Sequence, residues 1–312
     1  MKYSKQLPLI EETAPAIINS EAIDSFTAFL DVAPLTVKAY TSGLKMFARY
    51  LASTGIKAPT RDNVLAYKAY LSDCGRKSAT IALYLTALRR FFSWTQESKI
   101  YPDITAGVKA PKLSKGHKKD CFTGTQLKSI LTGIDRSTVE GLRNYAVMAL
   151  MTAGGLRTVE ITRANVEDLR TVAGVPVLYV QGKGRTEKAD FVKLPQQVET
   201  AIREYLSARG HVKDSAPLFT SESRRNKGGR LTTRTISGVA KHIMVDAGYN
   251  SSRLTAHSLR HSAITIALMG GRELADVQAF ARHSSINTTM IYNHAVSRIN
   301  SLCENTIASA IF

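Results

Sequence analysis

The chain has 312 residues, 42 Lys and Arg against 25 Asp and Glu, and a formal net charge of +17. That length is comfortable for two domains, and that charge calls for a polyanionic partner, nucleic acid first and a membrane surface second. No apolar run approaches the ~18 residues of a spanning helix, and the start M-K-Y-S-K-Q-L-P-L-I-E-E lacks the apolar stretch of a signal peptide, so a soluble, cytoplasmic protein with no membrane role is expected.

Residues 1–19 show little periodicity and read as a leader. From Ser20 to about Tyr101 the apolar positions recur at three and four: Ile23, Phe26 and Leu30; then Val37, Tyr40, Leu44, Phe47 and Leu51; then Val64, Tyr67 and Leu71; then Ile81, Leu85, Leu88 and Phe92. Four amphipathic helices with short connections predict a small bundle whose aromatics are mostly core. Lys38, Lys45, Arg49, Arg76, Lys77, Arg89 and Arg90 fall mainly off those stripes. They form either a phosphate-contacting face or a solvated basic one.

The stretch K-A-P-K-L-S-K-G-H-K-K, from Lys109 to Lys119, has five lysines and no acid and reads as a basic linker in which Lys112, Lys115, Lys118 and Lys119 can follow a nucleic-acid backbone. Residues 1–119 hold 18 Lys and Arg against 9 Asp and Glu and the remainder 24 against 16, an excess of +9 and +8. Both halves therefore carry the charge, which suits two domains gripping one polyanion. The expected division is a leader over 1–19, a helical domain over 20–107, a linker over 108–120, a second domain over 121–296 and a tail helix over 297–312.

Past the linker, Thr123 and Gln126 make a capping box for a helix reaching Leu131, and a denser apolar helix runs from about Val139 to Thr152. Gly154 and Gly155 end it and leave Arg157 at a turn where it can point into a cleft. Glu160, three residues on, is placed to pair with an arginine and orient Arg157. Two runs rich in valine, leucine and aromatics, Val175 to Gln181 and Ala189 to Leu194, predict a β-hairpin around G-K-G-R-T-E-K. Its Lys183 lies between two glycines, and the rest of a P-loop is missing. A helix over Gln197 to Leu206, a basic loop carrying Arg224 and Arg225, and a helix from about Arg234 to Ala247 follow. The three cysteines, Cys74, Cys121 and Cys303, are far apart and fit no metal-ligand or CxxC spacing, as in a reducing compartment.

The densest chemistry lies between Thr255 and His294. His257 and Arg260 are three apart at the start of a predicted helix, so a proton carrier and a fixed cation face one spot. Gly270 and Gly271 break that helix. Leu274, Val277 and Ala281 mark another, with His283 at its end, and Tyr292 comes nine residues later on a segment that Ser284 or Ser285 can cap. A tyrosine hydroxyl is a poor nucleophile until cations and a base surround it.

Taken together and in order, G-G-L-R-T-V-E-I, G-K-G, H-S-L-R-H, A-R-H-S-S-I-N-T-T and I-Y-N-H resemble the tyrosine recombinase (phage integrase) family, most of all its Xer-type and short integrase branch. The resemblance implies a mainly α fold with a small antiparallel β-sheet, in which a SAM-like core-binding bundle precedes an α+β catalytic domain. It also implies that Arg157 and Arg260 hold the scissile phosphate, Lys183 protonates the departing 5′ oxygen, His257 accepts the proton of the nucleophile, His283 braces the phosphate, Glu160 steadies Arg157, and Tyr292 attacks. No cofactor or metal is implied. The implied partners are double-stranded DNA and further copies of the chain, a dimer on one site and a tetramer in synapsis, with accessory DNA-bending or Xer-type proteins as possible additions. The tail, with Ile299, Leu302, Ile307 and Ile311 at helical spacing, docks on a neighbouring subunit or packs on its own domain. One residue departs from the family pattern of leucine-glycine-histidine: Arg282 replaces the glycine. It either adds a third cation at the phosphate or points to solvent, and solvent is the expectation. Two other readings share the scaffold, a DNA-binding accessory factor without chemistry and a topoisomerase that relaxes DNA through the same tyrosine.

Overall fold

The computed structural model describes residues 17–113, 120–182, 184–299 and 301–312. Residues 1–16 of the leader, Lys115, Lys118 and Lys119 of the linker and Lys183 of the hairpin lie outside the described residues. The chain divides into two units, Met1–Ser114 and Lys115–Phe312.

In the first unit the four predicted helices form: α1 (Ser20–Phe29), α2 (Pro34–Thr54), α3 (Arg61–Asp73) and α4 (Ser78–Glu97). α2 begins on a proline, whose missing N–H costs nothing in a first turn, and ends at Gly55 in the left-handed region (φ 68°). The apolar stripes meet in one core of Phe26, Phe47, Tyr67, Leu85, Phe91 and Phe92. Phe26 and Phe91 pack edge-to-face with ring centroids 5.4 Å apart, and Phe47 lies 4.9 Å from Tyr67. Such pairs add to what area burial alone supplies.

Two expected boundaries move outward. Ile18 is buried in this core and Asn19 caps α1 through its side chain, so the last residues assigned to the leader belong to the bundle. At the other end Val108 is buried, and three cations bind the backbone that leads to it: Arg61 donates to Ala106 O, Arg89 to Val108 O and Lys68 to Lys109 O. The stretch assigned to the linker from residue 108 thus starts as packed structure. Arg89 spends part of its guanidinium on this tie and is half-buried, as is Arg49, whereas Lys38, Lys45, Arg76, Lys77, Arg90 and Lys112 are exposed.

The second unit is built on α5 (Gly124–Thr132), α6 (Val139–Thr152), α7 (Thr158–Arg163), α8 (Gln196–Arg209), α9 (Thr233–Asp246), α10 (Ala256–Met269), α11 (Leu274–Ala281), α12 (Ile286–Ile299) and α13 (Cys303–Ile311). The Thr123–Gln126 capping box is present at the start of α5. A three-stranded antiparallel sheet, β1 (Leu169–Val172), β2 (Val175–Val180) and β3 (Asp190–Lys193), has the order β1-β2-β3 and sets Leu178 opposite both Leu169 and Val192. The predicted hairpin is β2–β3; β1 is an addition. Its four residues L-R-T-V bury none of their side chains fully, so no alternation marks them, and the turn is made by Ala173 and Gly174, both at positive φ. Buried Asp168 takes an ion pair from Lys188 at 2.6 Å and ties the β2–β3 turn back to the start of the sheet.

The core packs α6 against α8, α9 and α10, and Leu150, Leu178, Ile202, Met244 and Leu259 are among its members. A smaller cluster of Ile264, Val277, Ala281, Tyr292 and Val296 fastens α11 and α12 to α10. α12 runs through the expected boundary at 296/297. α13 exposes Leu302, Ile307, Ile311 and Phe312, so the tail is not packed on its own domain by these side chains. Arg224 and Arg225 are exposed in the loop before α9. Among the described residues no helix is long and apolar enough to cross a membrane.

Candidate active site

Four pieces of the second unit converge: the α6–α7 turn, the first two turns of α10, the C-terminal end of α11, and α12. The turn comes first because it fixes the rest. Gly155 has φ 60°, and a Cβ there would meet the Phe280 ring at 2.8 Å, so only glycine lets the chain pass under α11 at this point. The turn delivers Arg157 as the N-cap of α7. Glu160, fully buried, accepts Arg157 Nη1 at 2.8 Å through Oε1 and the Arg157 backbone N–H at 2.8 Å through Oε2. The expected pairing of Glu160 with Arg157 is therefore present, and it fixes both the backbone and the guanidinium of that arginine.

Among the described residues Arg260 is the largest fully buried side chain. From α10 it donates to Gly155 O and to Ala281 O, stitching α10 to the turn and to the end of α11. Burial first, and then the neighbouring Arg157 and Arg282, push its pKa down to about 9, which still leaves a cation at neutral pH.

Arg282 does not point to solvent. Its backbone is left-handed (φ 50°, ψ 48°) at the C-cap of α11, a conformation that suits the glycine of the family pattern. That geometry turns the side chain inward. Its Nη2 donates to Glu160 Oε2 at 2.9 Å and to Gly155 O at 3.1 Å, its Nη1 donates to Phe280 O at 2.7 Å, and the side chain is 7% exposed. The solvent expectation does not hold, because the fold offers this arginine a buried carboxylate and two carbonyls. Two guanidinium groups, those of Arg157 and Arg282, thus share one carboxylate. Burial raises the pKa of Glu160, but Arg282, the Arg157 backbone and Arg157 together outweigh it, and the net shift is downward.

His283 follows at the mouth of a pocket of about 610 Å³ that Arg157, Gly182, Arg185, Gln278 and Arg282 also line. Gly182 and Arg185 flank Lys183. The Nδ1 of His283 lies 2.9 Å from Thr289 Oγ1, one turn before Tyr292 on α12. Burial first, then Arg260, Arg157 and Arg282, hold its pKa down at about 4, so the ring is neutral under ordinary conditions.

Tyr292 is buried, 4% exposed, and its hydroxyl is hydrogen-bonded to Nδ1 of His261. Burial pushes its pKa up to about 12, against the pull of Arg260 and Arg157. Its ring centroid lies 5.1 Å from that of His261 and 6.1 Å from that of His283. His257 is exposed and packs edge-to-face on His261 with centroids 4.4 Å apart. The structure therefore brings together Arg157, Glu160, His257, Arg260, His283 and Tyr292 in one neighbourhood.

A family model described as "Phage integrase family" matches residues 121–298, and one described as "Phage integrase, N-terminal SAM-like domain" matches residues 23–99. The chain belongs to the phage integrase (tyrosine recombinase) family. Among the relatives of this family member, the tyrosine recombinase XerC of Haemophilus influenzae (strain PittEE) is 31% identical over 269 residues, 84% of this chain and 87% of the relative. The tyrosine recombinase XerD of Listeria monocytogenes serotype 4b (strain F2365) is 28% identical over 291 residues, 88% of this chain and 94% of the relative. In fold the chain resembles XerH site-specific recombinase bound to difH substrate in a pre-cleavage complex, with a TM-score of 0.69 and 23% identity over 91% of this chain and 84% of that one.

Two residues of this recombinase neighbourhood, His261 and Thr289, are not singled out by the sequence. His261 had a legible signal: it stands four residues after His257, one helical turn away on the same face. Thr289 had none, since its partner comes from the end of another helix. Arg282 stood out as a departure, but its direction did not.

The neutral state of His283 has a measurable consequence. Its ordinary value is 6.5 and its folded value about 4. Between the two the unfolded chain holds the proton and the folded one does not, so this group makes the protein less stable as pH falls from 6.5 towards 4. Denaturant unfolding of His283→Gln across that range is expected to show a flatter stability curve than the parent. Parallel curves would assign the slope to other groups.

Proposed function

We propose that this tyrosine recombinase is a site-specific DNA strand exchanger that works through a 3′-phosphotyrosyl intermediate. The observation that carries the reading is that Arg260 and Arg157 act electrostatically on both Tyr292 and His283, whose rings lie 6.1 Å apart. The attack on a backbone phosphate builds extra negative charge on its equatorial oxygens, and guanidinium forks are suited to meet it without a metal or cofactor. Arg157, oriented by Glu160, and Arg260 take that role. With Thr289 donating to Nδ1, His283 carries its proton on Nε2 and offers a neutral donor to a third oxygen. Lys183 supplies the proton to the leaving 5′ oxygen. The bond energy stays in the phosphotyrosyl link, from which the partner strand's 5′ hydroxyl releases the tyrosine, so no nucleotide is consumed.

Double-stranded DNA is the substrate, gripped by the exposed cations of both units: Lys38, Lys45, Lys77, Arg90 and Lys112 in the first, Arg224 and Arg225 in the second. The lysines at 115, 118 and 119 continue that set along the sequence. The apolar residues that α13 exposes support docking on a second copy and hence assembly of a dimer on one site and a tetramer on two. Three exposed, unpaired cysteines accord with work in a reducing cytoplasm.

The test uses a duplex that the protein itself selects from a random pool, then nicked near the cleavage point so that the short 5′-hydroxyl strand diffuses away. A covalent protein–DNA band on a denaturing gel, sensitive to protease and formed in excess chelator, is expected. Binding without any such band would favour the accessory-factor reading. Relaxation of supercoiled DNA lacking the selected site, with no exchange between two sites, would favour the topoisomerase.

A further inference from the structure

The family pattern has a glycine where this chain has Arg282, and the side chain that replaces it is built into the site. We propose that Arg282 is a positioning residue for strand cleavage: through Glu160 and Gly155 it braces Arg157 and Arg260, the two arginines assigned to the scissile phosphate. The inference rests on the strand-exchange reading and deepens it with a residue that acts on the phosphate only through its neighbours.

Three observations carry it. The first is the backbone. At φ 50° and ψ 48° Arg282 is left-handed, a conformation that costs an arginine and that a glycine adopts freely. Strain of this kind persists where surrounding contacts over-determine it. The second is what those contacts join. One nitrogen, Nη2, donates to Glu160 Oε2 at 2.9 Å and to Gly155 O at 3.1 Å. Glu160 is also the partner of Arg157, and Gly155 O also accepts from Arg260 Nη1. A single atom of Arg282 thus links the anchors of both arginines. The carbonyl of the same residue lies 3.5 Å from Arg157 Nη2, so its backbone meets the guanidinium that its side chain helps to anchor. The third is burial. The side chain is 7% exposed and its Nε is buried without a hydrogen-bond partner, so the cation has left water for these contacts.

The effect on the phosphate follows from how the carboxylate is shared. With glycine at this position, Glu160 would have Arg157 as its guanidinium partner and would draw that one cation back from the phosphate. With arginine, two guanidinium groups divide the buried carboxylate between them. Arg157 stays oriented by Glu160 but is less neutralised by it, and more of its charge is left for the equatorial oxygens. The brace also holds the α6–α7 turn to the end of α11. His283, the next residue, is thereby kept at the pocket that Arg157 and Arg282 line.

The experiment follows covalent adduct formation on the nicked, selected duplex at saturating DNA. It reads the rate constant and the final yield separately, with mobility shift for binding and the urea midpoint for stability. Arg282→Gly suits the backbone and is expected to fold. Its rate constant should fall about 10- to 10²-fold, as for a misplaced catalytic group, while yield and binding stay within about twofold of the parent. A merely structural arginine would lower the yield of active protein or the urea midpoint and leave the rate constant alone. Arg282→Lys puts an ammonium where Nη2 meets Glu160 and Gly155, and should cleave within about fivefold of the parent. Arg282→Gln keeps the stem and a donor but brings no charge. It serves should the glycine variant not fold, and should cleave at least about tenfold more slowly than the parent. A rate constant for either uncharged variant within about threefold of the parent overturns the proposal and leaves the strand-exchange reading standing. So does a lysine variant as slow as the glycine one, since the effect would then not come from charge at the brace. Binding lost in proportion to rate also overturns it, by making Arg282 a DNA contact. Tyr292→Phe in the same gels verifies that the adduct is the tyrosine's, and a parent protein that forms no adduct overturns both readings.

Discussion

Tyr292→Phe is expected to abolish the covalent adduct, with a fall in cleavage of at least about 10⁴-fold, while the mobility shift on the selected duplex is unchanged. The size follows from removing the proposed nucleophile itself, a loss that the surrounding cations cannot make good. Binding survives because Tyr292 is buried, at 4% exposure, and the substitution removes no positive charge. The fold tolerates the change. The substitution removes one hydrogen bond, to His261 Nδ1, at a cost of about 0.5–1.5 kcal/mol, and the ring remains in its cluster with Ile264, Val277 and Val296. Adduct surviving in the variant at more than a hundredth of the parent rate would move the nucleophile to another of the 12 tyrosines.

Arg260→Ala is expected to separate activity from stability. In the proposed reaction its guanidinium meets developing phosphate charge, and losing one such donor typically costs about 10²- to 10³-fold in rate. On stability two effects oppose each other. Ala281 O loses its donor, which costs about 1–3 kcal/mol, whereas Gly155 O keeps Arg282 at 3.1 Å. Against this, Arg157 and Arg282 repel Arg260 and share a single carboxylate with one another. Removing one of three crowded cations relieves part of that repulsion, so the net loss should stay below about 3 kcal/mol. Cleavage on the nicked duplex and the urea midpoint, measured on one preparation, give the two numbers. A variant that is unfolded at room temperature would show that Arg260 is first a structural clamp.

Much of the architecture is legible in the residues because it is local. The bundle helices are specified by apolar spacing, α5 by its capping box and α6 by apolar spacing with a Thr138 cap, and the hairpin β2–β3 by two β-rich runs around glycines. β1 was not legible. A four-residue edge strand with charged Arg170 and no fully buried side chain has no signature until β2 pairs with it. Nor was the inclusion of Ile18 in the bundle core, since one apolar residue before a cap carries no period.

The same division runs through the site. The sequence by itself determined which side chains are available and on which helical face each lies: Arg157 after a glycine turn, His257 and Arg260 on one face of α10, His283 at a helix end, Tyr292 on the last long helix. Only the tertiary structure decided which of them touch. It set His261 against Tyr292, turned Arg282 inward onto Glu160 and Gly155, and placed Thr289 on His283. The physical reason is that a helical period fixes the direction of a side chain about its own axis. The partner in that direction depends on how α6, α10, α11 and α12 cross, and that is settled by burial of residues far apart in the chain.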